Sequence, residues 1–396
     1  MNRIKGGVAQ PKGFLVNSLN CGIRKYRHDL GLLASLVPAK AAAVFTKNKV
    51  KAAPVIFSQK NIKNSGCRAI IVNSGNANCC TGPKGAKDAD RMAIAAAKAL
   101  KVSKRKVLVA STGVIGQALP VKLIEKAVPA LAKGLNKKGS MAFAKAIMTT
   151  DKFPKSLAVK IKIGGASVTI GGTAKGAGMI NPNMATMLSF ITTDAAIKKD
   201  ALKEAFKNAI AKSFNSITVD GAMSTNDCVF ILANGMAKNR PISRNSGDYN
   251  KFCRALEYIT IELAKKIVLD GEGATKFVRI IVKGAKDEAD AKTTAFAIAN
   301  DPLFKTSVYG EDPNWGRIAA AVGYSGAKVE AKKLDIYLNG KKAASGGVRT
   351  NADLAGSYKR KHINIVVDLK LGKKMSEVFT CDLTKKYVEI NSSYTS

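Results

Sequence analysis

The chain has 396 residues, of which 46% are hydrophobic and 23% charged, so it resembles an ordinary globular protein and not a disordered one. That length exceeds a comfortable single core and predicts two domains or one large layered α/β unit. No window approaches eighteen uninterrupted apolar residues, and the opening MNRIKGGVAQPKGF has no apolar signal segment. These features argue against a membrane span and a secretory signal, and we expect a cytoplasmic protein.

The charge is strongly basic, with 65 Lys and Arg against 28 Asp and Glu and a net charge of +37. A nucleic-acid-binding protein could have this composition. However, the lysines are spread along the chain, and the densest clusters, 104–106 and 359–361, are short and lack interleaved aromatic residues that stack on bases. We therefore interpret the charge as a generally basic surface and expect neither nucleic acid nor a membrane as partner.

Cysteine and histidine usage limits the available chemistry. The seven cysteines are an odd number without a Cys-x-x-Cys pair, and the chain has only two histidines, His28 and His362. This is a poor basis for disulfides or a zinc site, so we expect reduced cysteines, surface histidines and no metal or other cofactor. A Ser-His-Asp hydrolase is also difficult to assemble from these residues.

In the first half of the chain, two strand-turn-helix units follow one another. A buried strand is predicted at 68–72, with a polar turn at 73–78 and a helix at 86–100. A second strand is predicted at 106–110, with a glycine-bearing turn at 111–116, and Pro120 is well placed to open a helix.

The later elements have equally clear patterns. A hairpin is predicted from strands 156–163 and 166–171, joined at Gly164-Gly165. Apolar residues recur four apart on one face of a helix after residue 197, namely Leu202, Phe206, Ile210 and Phe214. Further strands are predicted at 278–282, 334–338 and 363–369. Alternating strands and helices of this kind indicate an α/β fold.

Residues 171–178, GGTAKGAG, form a glycine-rich segment with one lysine. The segment lacks the order of a phosphate-binding loop, and a turn and a strand follow it where a helix would be required. A flexible backbone with one ammonium suits a small anionic substrate better than a nucleotide. The alternative is a glycine-bearing turn with a solvated lysine.

The stretch GMINPNMATMLSFITTDAAI, residues 178–197, places a threonine behind an Asn-Pro-Asn turn, at the start of a predicted buried strand. A strand threonine is usually structural. Acyl chemistry without histidine has one economical solution, a Thr, Ser or Cys freed at a chain N-terminus, whose own α-amine serves as the base. The pKa of such an amine is about 7.7 to 8, so much of it is neutral at working pH.

Motifs along nearly the whole chain resemble the glutamate N-acetyltransferase, or ornithine acetyltransferase, family of arginine biosynthesis. They lie at 11–14 (PKGF), 43–46 (AVFT), 52–55 (AAPV), 71–78 (IVNSGNAN), 111–116 (STGVIG), 178–188 (GMINPNMATML), 270–276 (DGEGATK) and 312–317 (DPNWGR). The resemblance implies a layered α/β sandwich of the ornithine acetyltransferase and DmpA-like type, with a smaller C-terminal α/β domain.

The same resemblance implies an autocatalytic acyltransferase. Self-cleavage between Ala185 and Thr186 would give an α chain, 1–185, and a β chain, 186–396, that assemble as an α2β2 heterotetramer. Thr186 would then carry acetyl from N-acetylornithine to glutamate. Acetyl-CoA as a second acetyl donor is left open. An autoprocessing amidohydrolase or aminopeptidase of similar fold, in which water accepts the acyl group, is the alternative.

Site residues follow from the resemblance by position. Thr112 and Gly113 match the family's oxyanion hole, a hydroxyl and a backbone amide aimed at the charge of the tetrahedral intermediate. The other matching positions are substrate-binding, namely Thr150, Lys175, Thr186, Glu272, Asn391 and Ser396, with Glu272 also catalytic. The ending 393–396 departs from the family's usual acidic-Tyr-Arg-Thr type. The alternative for the C-terminal residues 391–396 is an unstructured tail.

Overall fold

The computed structural model describes residues 1–181 and 187–393, so the predicted cleavage residues Ala185 and Thr186, and the terminal Ser396, lie outside the described residues. The chain forms two compact units, which we treat separately. Unit 1 takes its described residues from Met1–Gly176, Asn183–Asn215 and Met223–Ile267. Unit 2 takes its described residues from Ala177–Pro182, Ser216–Ala222 and Val268–Ser396. The predicted α and β chains are a different division of the sequence and stay a prediction.

Unit 1 contains nine of the described strands. They are β1 (Asn2–Ile4), β2 (Phe14–Leu19), β3 (Leu30–Phe45), β4 (Cys67–Asn76), β5 (Val107–Val114), β6 (Lys155–Ile163), β7 (Ala166–Lys175), β8 (Leu188–Thr193) and β9 (Cys228–Ala233). Its helices are α1 (Ala53–Asn61), α2 (Gly82–Leu100), α3 (Val121–Lys133), α4 (Ser140–Ala146), α5 (Lys199–Ala211) and α6 (Tyr249–Leu269), the last of which ends in unit 2, and 3-10 turns lie at Lys104–Lys106 and Phe214–Ser216.

The nine strands form one sheet in the order β1-β6-β7-β8-β9-β3-β4-β5, with β2 added along β3. The β4–β5 and β8–β9 pairs are parallel and the other neighbours antiparallel. Every residue of β8 (LSFITT) and β9 (CVFILA) is buried, as the apolar and β-branched composition predicts for central strands covered on both faces.

Helix α2 shows why the sequence pattern predicted this layer. Its buried residues Ala89, Met92, Ala93 and Ala96 fall at helical spacing and pack with α3 against the sheet. The helix ends at Lys101, which adopts a left-handed conformation with φ +54°. The predicted helix at 86–100 is confirmed, and it begins earlier, at Gly82.

Three turns predicted from glycine and polar residues are wrong at their starts, because the strands continue into them. β4 extends to Asn76, β5 to Val114 and β7 to Lys175. In β7 the glycines serve close packing: a Cβ on Gly171 would lie 2.1 Å from the Gly7 carbonyl oxygen, and one on Gly172 would lie 2.8 Å from Leu263.

Unit 2 contains a second, smaller α/β arrangement. Its strands are β10 (Phe277–Ala285), β11 (Asp335–Leu338), β12 (Lys341–Ser345), β13 (Val348–Arg349), β14 (His362–Asp368) and β15 (Lys374–Cys381), in the order β13-β12-β11-β14-β10-β15. Its helices are α7 (Glu288–Asn300), α8 (Pro302–Tyr309), α9 (Trp315–Tyr324) and α10 (Lys385–Ser392), with a 3-10 turn at Ala331–Lys333. The three strands predicted here are confirmed, as is the α/β class.

The core of unit 2 lies between its sheet and its helices. Val278, Ile280 and Val282 alternate along β10 and pack with Ala295 and Ile298 of α7. In the part of the chain that the structure describes, no helix is both long and apolar enough to cross a membrane.

Candidate active site

The end of strand β5 carries the two residues predicted for the oxyanion hole. Thr112 is buried, and Gly113 follows it with φ +136°, a backbone conformation that other residues rarely adopt. Gly113 pairs with Gly75 of β4, where the register shifts by a bulge. A Cβ on Gly113 would lie 2.2 Å from the Gly75 carbonyl carbon, so the bulge requires glycine at this position.

Lys175, the last residue of β7, contacts this strand end directly. The side chain is 2% exposed, and its Nζ donates a hydrogen bond to Thr112 Oγ1 at 3.1 Å. Because the ammonium only donates, the Thr112 hydroxyl oxygen is the acceptor, and this bond does not use the hydroxyl proton. Lys175 is thus a buried cation in contact with the Thr112 hydroxyl, and the alternative of a solvated lysine is wrong.

Asp151 is a buried carboxylate that the sequence reasoning missed. It accepts hydrogen bonds from Lys155 Nζ at 2.6 Å and from the Gly176 amide at 2.7 Å. Burial alone would raise the pKa of Asp151, but the charges of Lys175 and Lys155, together with these hydrogen bonds, bring it to about 2.

The pKa of Lys175 is also lowered, but in a lysine this change disfavours the charged form. Burial lowers the pKa of the Lys175 ammonium, and the charges of Asp151 and Asp227 oppose that change. At Asp151 the nearby charges and hydrogen bonds therefore outweigh burial, whereas at Lys175 burial outweighs the favourable charges. The predicted substrate residue Thr150 lies half-buried next to Asp151 in the chain.

A second missed carboxylate, Asp227, precedes strand β9 and is fully buried. Its Oδ1 accepts a hydrogen bond from the Met187 amide at 2.8 Å, directly after the predicted nucleophile in the chain. Burial raises the pKa of Asp227 well above its usual value, and the Met187 amide and the charge of Lys175 offset this only in part. Its neighbour Asn226 donates to the carbonyl oxygen of Ser111, at the end of β5.

Unit 2 holds the remaining described site residues. Glu272 is 8% exposed, and its Oε2 accepts a hydrogen bond from Asn391 Nδ2 at 2.9 Å. A Cβ on Gly178 would lie 2.3 Å from the same carboxylate oxygen, so Gly178 gives Glu272 its room. Asn391 belongs to α10, which ends at Ser392, so the alternative of an unstructured tail is wrong for Asn391 and Ser392.

Asp220 fixes the backbone of unit 2 that leads toward the predicted cleavage segment. Its carboxylate accepts hydrogen bonds from the amides of Met179 and Ile180, the first at 2.5 Å and the second at 2.9 Å. Burial raises the pKa of Asp220, and the charge of Glu272 raises it further, while these amides oppose the change. Tyr387 also donates to Asp220 at 3.3 Å.

In unit 1, Thr112 and Lys175 are thus in direct contact. Gly113 follows Thr112 in the chain, and Thr150 precedes Asp151, which accepts a hydrogen bond from the Gly176 amide next to Lys175. Glu272 and Asn391 are in contact in unit 2. Both histidines are exposed, as predicted. Across the described residues, no group of three or more His, Cys, Asp or Glu side chains could hold a metal ion. No sequence signal marked Asp151 or Asp227, because neither belongs to a motif with a known spacing.

The comparisons with known proteins concern the whole chain. The model of the ArgJ family matches residues 15–396. The chain belongs to the ArgJ family. The resemblance stated from the sequence motifs is therefore confirmed.

Curated ArgJ relatives match this chain from end to end. The arginine biosynthesis bifunctional protein ArgJ of Caldanaerobacter subterraneus subsp. tengcongensis is 47% identical, with all of both chains covered. The protein of the same name from Geobacter sulfurreducens is 48% identical over 97% of this chain and 99% of its own. The crystal structure of the arginine biosynthesis bifunctional protein argJ from Bacillus halodurans matches this chain with 38% sequence identity and a TM-score of 0.52. The match covers 53% of this chain and 100% of the solved chain. The ArgJ fold is therefore shared.

Proposed function

We propose that this ArgJ-family chain is an acetyltransferase that moves acetyl from N-acetylornithine to glutamate, giving ornithine and N-acetylglutamate for arginine biosynthesis. The observation that carries the proposal is the buried contact between Lys175 and Thr112 beside Gly113. It puts a cation suited to a substrate α-carboxylate next to two groups suited to an oxyanion. Curated relatives named for arginine biosynthesis support the same reaction.

The first step of the proposed mechanism is self-cleavage. Thr186 Oγ attacks the Ala185 carbonyl, its proton passes to the leaving nitrogen, and an ester replaces the peptide bond. Water then hydrolyses the ester, leaving a carboxylate on Ala185 and a free α-amine on Thr186. The solved Bacillus halodurans chain corresponds in full to 53% of this chain. Residues 186–396 are 211 of 396 residues, the same share, which supports a cut before Thr186.

Acetyl transfer then follows in two half-reactions. The Thr186 amine takes the proton of its own hydroxyl, which attacks the acetyl carbonyl of N-acetylornithine, and the ornithine amine leaves with that proton. The glutamate amine attacks the acetyl ester in turn and restores the hydroxyl. In both half-reactions the Thr112 hydroxyl and the Gly113 amide donate to the oxyanion, each worth about 3 kcal/mol.

The other site residues act on binding and on the substrate amine. Lys175 binds the α-carboxylate together with Thr150, which is next to Asp151 in the chain. Glu272 holds or relays the proton of the amine, and Asn391 and Ser396 are further substrate-binding residues. The reaction needs no metal or other cofactor. We further propose an α2β2 assembly in the cytoplasm, and the seven cysteines, all unpaired among the described residues, suit a reducing compartment.

Intact-mass measurement and transfer assays test this function. We expect two chains, the second beginning at Thr186, and acetyl transfer that depends on glutamate. Thr186→Ala should remove both cleavage and transfer, because it removes the nucleophile of both steps, whereas Thr186→Ser should keep part of each. A Thr186→Ala chain that still splits would contradict the proposed cleavage.

The same assay separates the alternatives. An amidohydrolase would release free acetate or amine from N-acetylornithine at the same rate without glutamate. Acetyl-CoA is then offered in place of N-acetylornithine, and formation of N-acetylglutamate from it adds the second activity. Light scattering measures the mass of the assembly.

A further inference from the structure

Asp151 joins separate parts of unit 1, one of which is the backbone directly after Lys175. Its Oδ1 accepts hydrogen bonds from Gly176 N and Lys155 Nζ, and its Oδ2 accepts one from Thr149 N at 3.0 Å. The side chains of Asp151 and Lys155 are both 0% exposed. A carboxylate with this many donors and no solvent has a fixed position.

We propose that Asp151 is a positioning residue of the carboxylate-binding site, whose hydrogen bonds fix the backbone on which Lys175 and Thr150 lie and whose charge favours the Lys175 ammonium. The inference rests on the proposed function, in which Lys175 binds the substrate α-carboxylate. Asp151 acts through Lys175 and does not itself contact the substrate.

The charges that face Lys175 explain why Asp151 is required. Lys155 and Arg24 disfavour a charged Lys175, whereas Asp151 and Asp227 favour it, and Asp151 has the larger effect of the two. Burial raises the pKa of Asp227, whereas the pKa of Asp151 is lowered to about 2, so Asp151 is the carboxylate held more firmly in its charged form. Without it, the fully buried ammonium of Lys175 loses its proton at a lower pH.

The hydrogen bonds of Asp151 also set geometry. Gly176 follows Lys175 directly, so the bond from the Gly176 amide to Asp151 fixes the peptide from which the Lys175 side chain departs. Thr149 precedes Thr150, and the hydrogen bond from the Thr149 amide to the other carboxylate oxygen fixes the backbone at residues 149–151. One side chain therefore aligns the predicted substrate residues of two chain segments.

The experiment compares Asp151→Asn, which keeps one acceptor oxygen and loses the charge, with Asp151→Glu, which keeps the charge. The matched control is Asp194→Asn, because Asp194 is a buried unit 1 carboxylate that also accepts two amide hydrogen bonds, from Thr169 and Lys12. Each processed protein is assayed across pH with N-acetylornithine and with N-acetyl-1,4-diaminobutane, which lacks the α-carboxylate.

We expect Asp151→Asn to raise the KM for N-acetylornithine at least ~10-fold, with a smaller change in kcat. In this variant, the increase of KM at alkaline pH should begin about one pH unit or more below the pH at which it begins in the wild type. The KM of the carboxylate-free analogue should change little. Asp151→Glu should recover the pH profile even where KM stays raised. Asp194→Asn should lower Tm without moving the pH profile.

A KM profile of Asp151→Asn that parallels the wild type, or an equal loss with both substrates, would overturn the inference. If Asp151→Asn does not fold, the comparison of Asp151→Glu with Asp194→Asn decides it, because a shifted pH profile for Asp151→Glu contradicts the role of the charge. If the wild type transfers no acetyl, the proposed function fails. Calorimetric titration of L-glutamate across pH then tests Asp151 without turnover, and the inference fails if Asp151→Asn leaves the pH dependence of binding unchanged.

Discussion

Replacing Gly113 by alanine tests the predicted oxyanion hole through a clash that the structure defines. The added Cβ would lie 2.2 Å from the Gly75 carbonyl carbon and 2.4 Å from the Asn76 nitrogen, both backbone atoms of β4. Reaching ordinary contact at 3.4 Å moves β4 and β5 apart by about 1.2 Å. The strain at φ +136° adds about 1–3 kcal/mol, and overpacking adds about 1–3 kcal/mol.

We therefore expect Gly113→Ala to lower the free energy of unfolding by about 2–6 kcal/mol and kcat by about 10²–10³-fold, because the amide at residue 113 moves away from the oxyanion. Urea denaturation measures the first quantity and the transfer assay the second. Gly116→Ala is the matched control, since Gly116 also has positive φ, +84°, but nothing lies within 4 Å of its added Cβ. Equal effects of the two substitutions on kcat would refute the reasoning.

Two further substitutions test other contacts. The Cβ added by Gly178→Ala displaces the Glu272 carboxylate from Asn391 Nδ2. We therefore expect kcat for transfer to fall at least ~10-fold, while denaturing gels still show the cleaved chains. Unchanged transfer would count against a role for Glu272. Asp227 has a raised pKa in the folded state, so its contribution to stability is present below about pH 4 and is lost as the pH rises. Because Asn cannot ionise, the Tm of Asp227→Asn minus that of the wild type should increase as the pH rises above about 4, and a difference that is constant across pH would contradict this assignment.

The elements of the fold were largely predictable because their apolar residues recur at strand or helix spacing. The ends of β4, β5 and β7 were not predictable, because glycine occurs both in turns and where two backbones approach closely. Gly171 is an example: its partner is the Gly7 carbonyl, more than 160 residues away in the chain. Such a contact exists only in the folded sheet.

Sequence motifs marked some of the candidate site residues, whereas no motif marked the buried carboxylates Asp151 and Asp227. Thr112 and Gly113 lie in the motif at 111–116, and Lys175 lies in the glycine-rich segment at 171–178. The structure brings Thr112 and Lys175 into contact, and their roles stay a prediction. Asp151 and Asp227 have no motif, since what distinguishes them is removal from water by strands distant in sequence. Composition and spacing do not encode that property.

The strand order of unit 1 has a consequence for the assembly of the two predicted chains. Strands β8 and β9 follow the predicted cut, yet they lie between β7 on one side and β3 on the other, both of which precede it. Two interior seams of backbone hydrogen bonds would therefore join the cleaved products, and neither product could leave without opening the sheet. If the two halves were encoded as separate genes, each would expose unpaired strand edges before meeting its partner, so uninterrupted synthesis protects this sheet from aggregation.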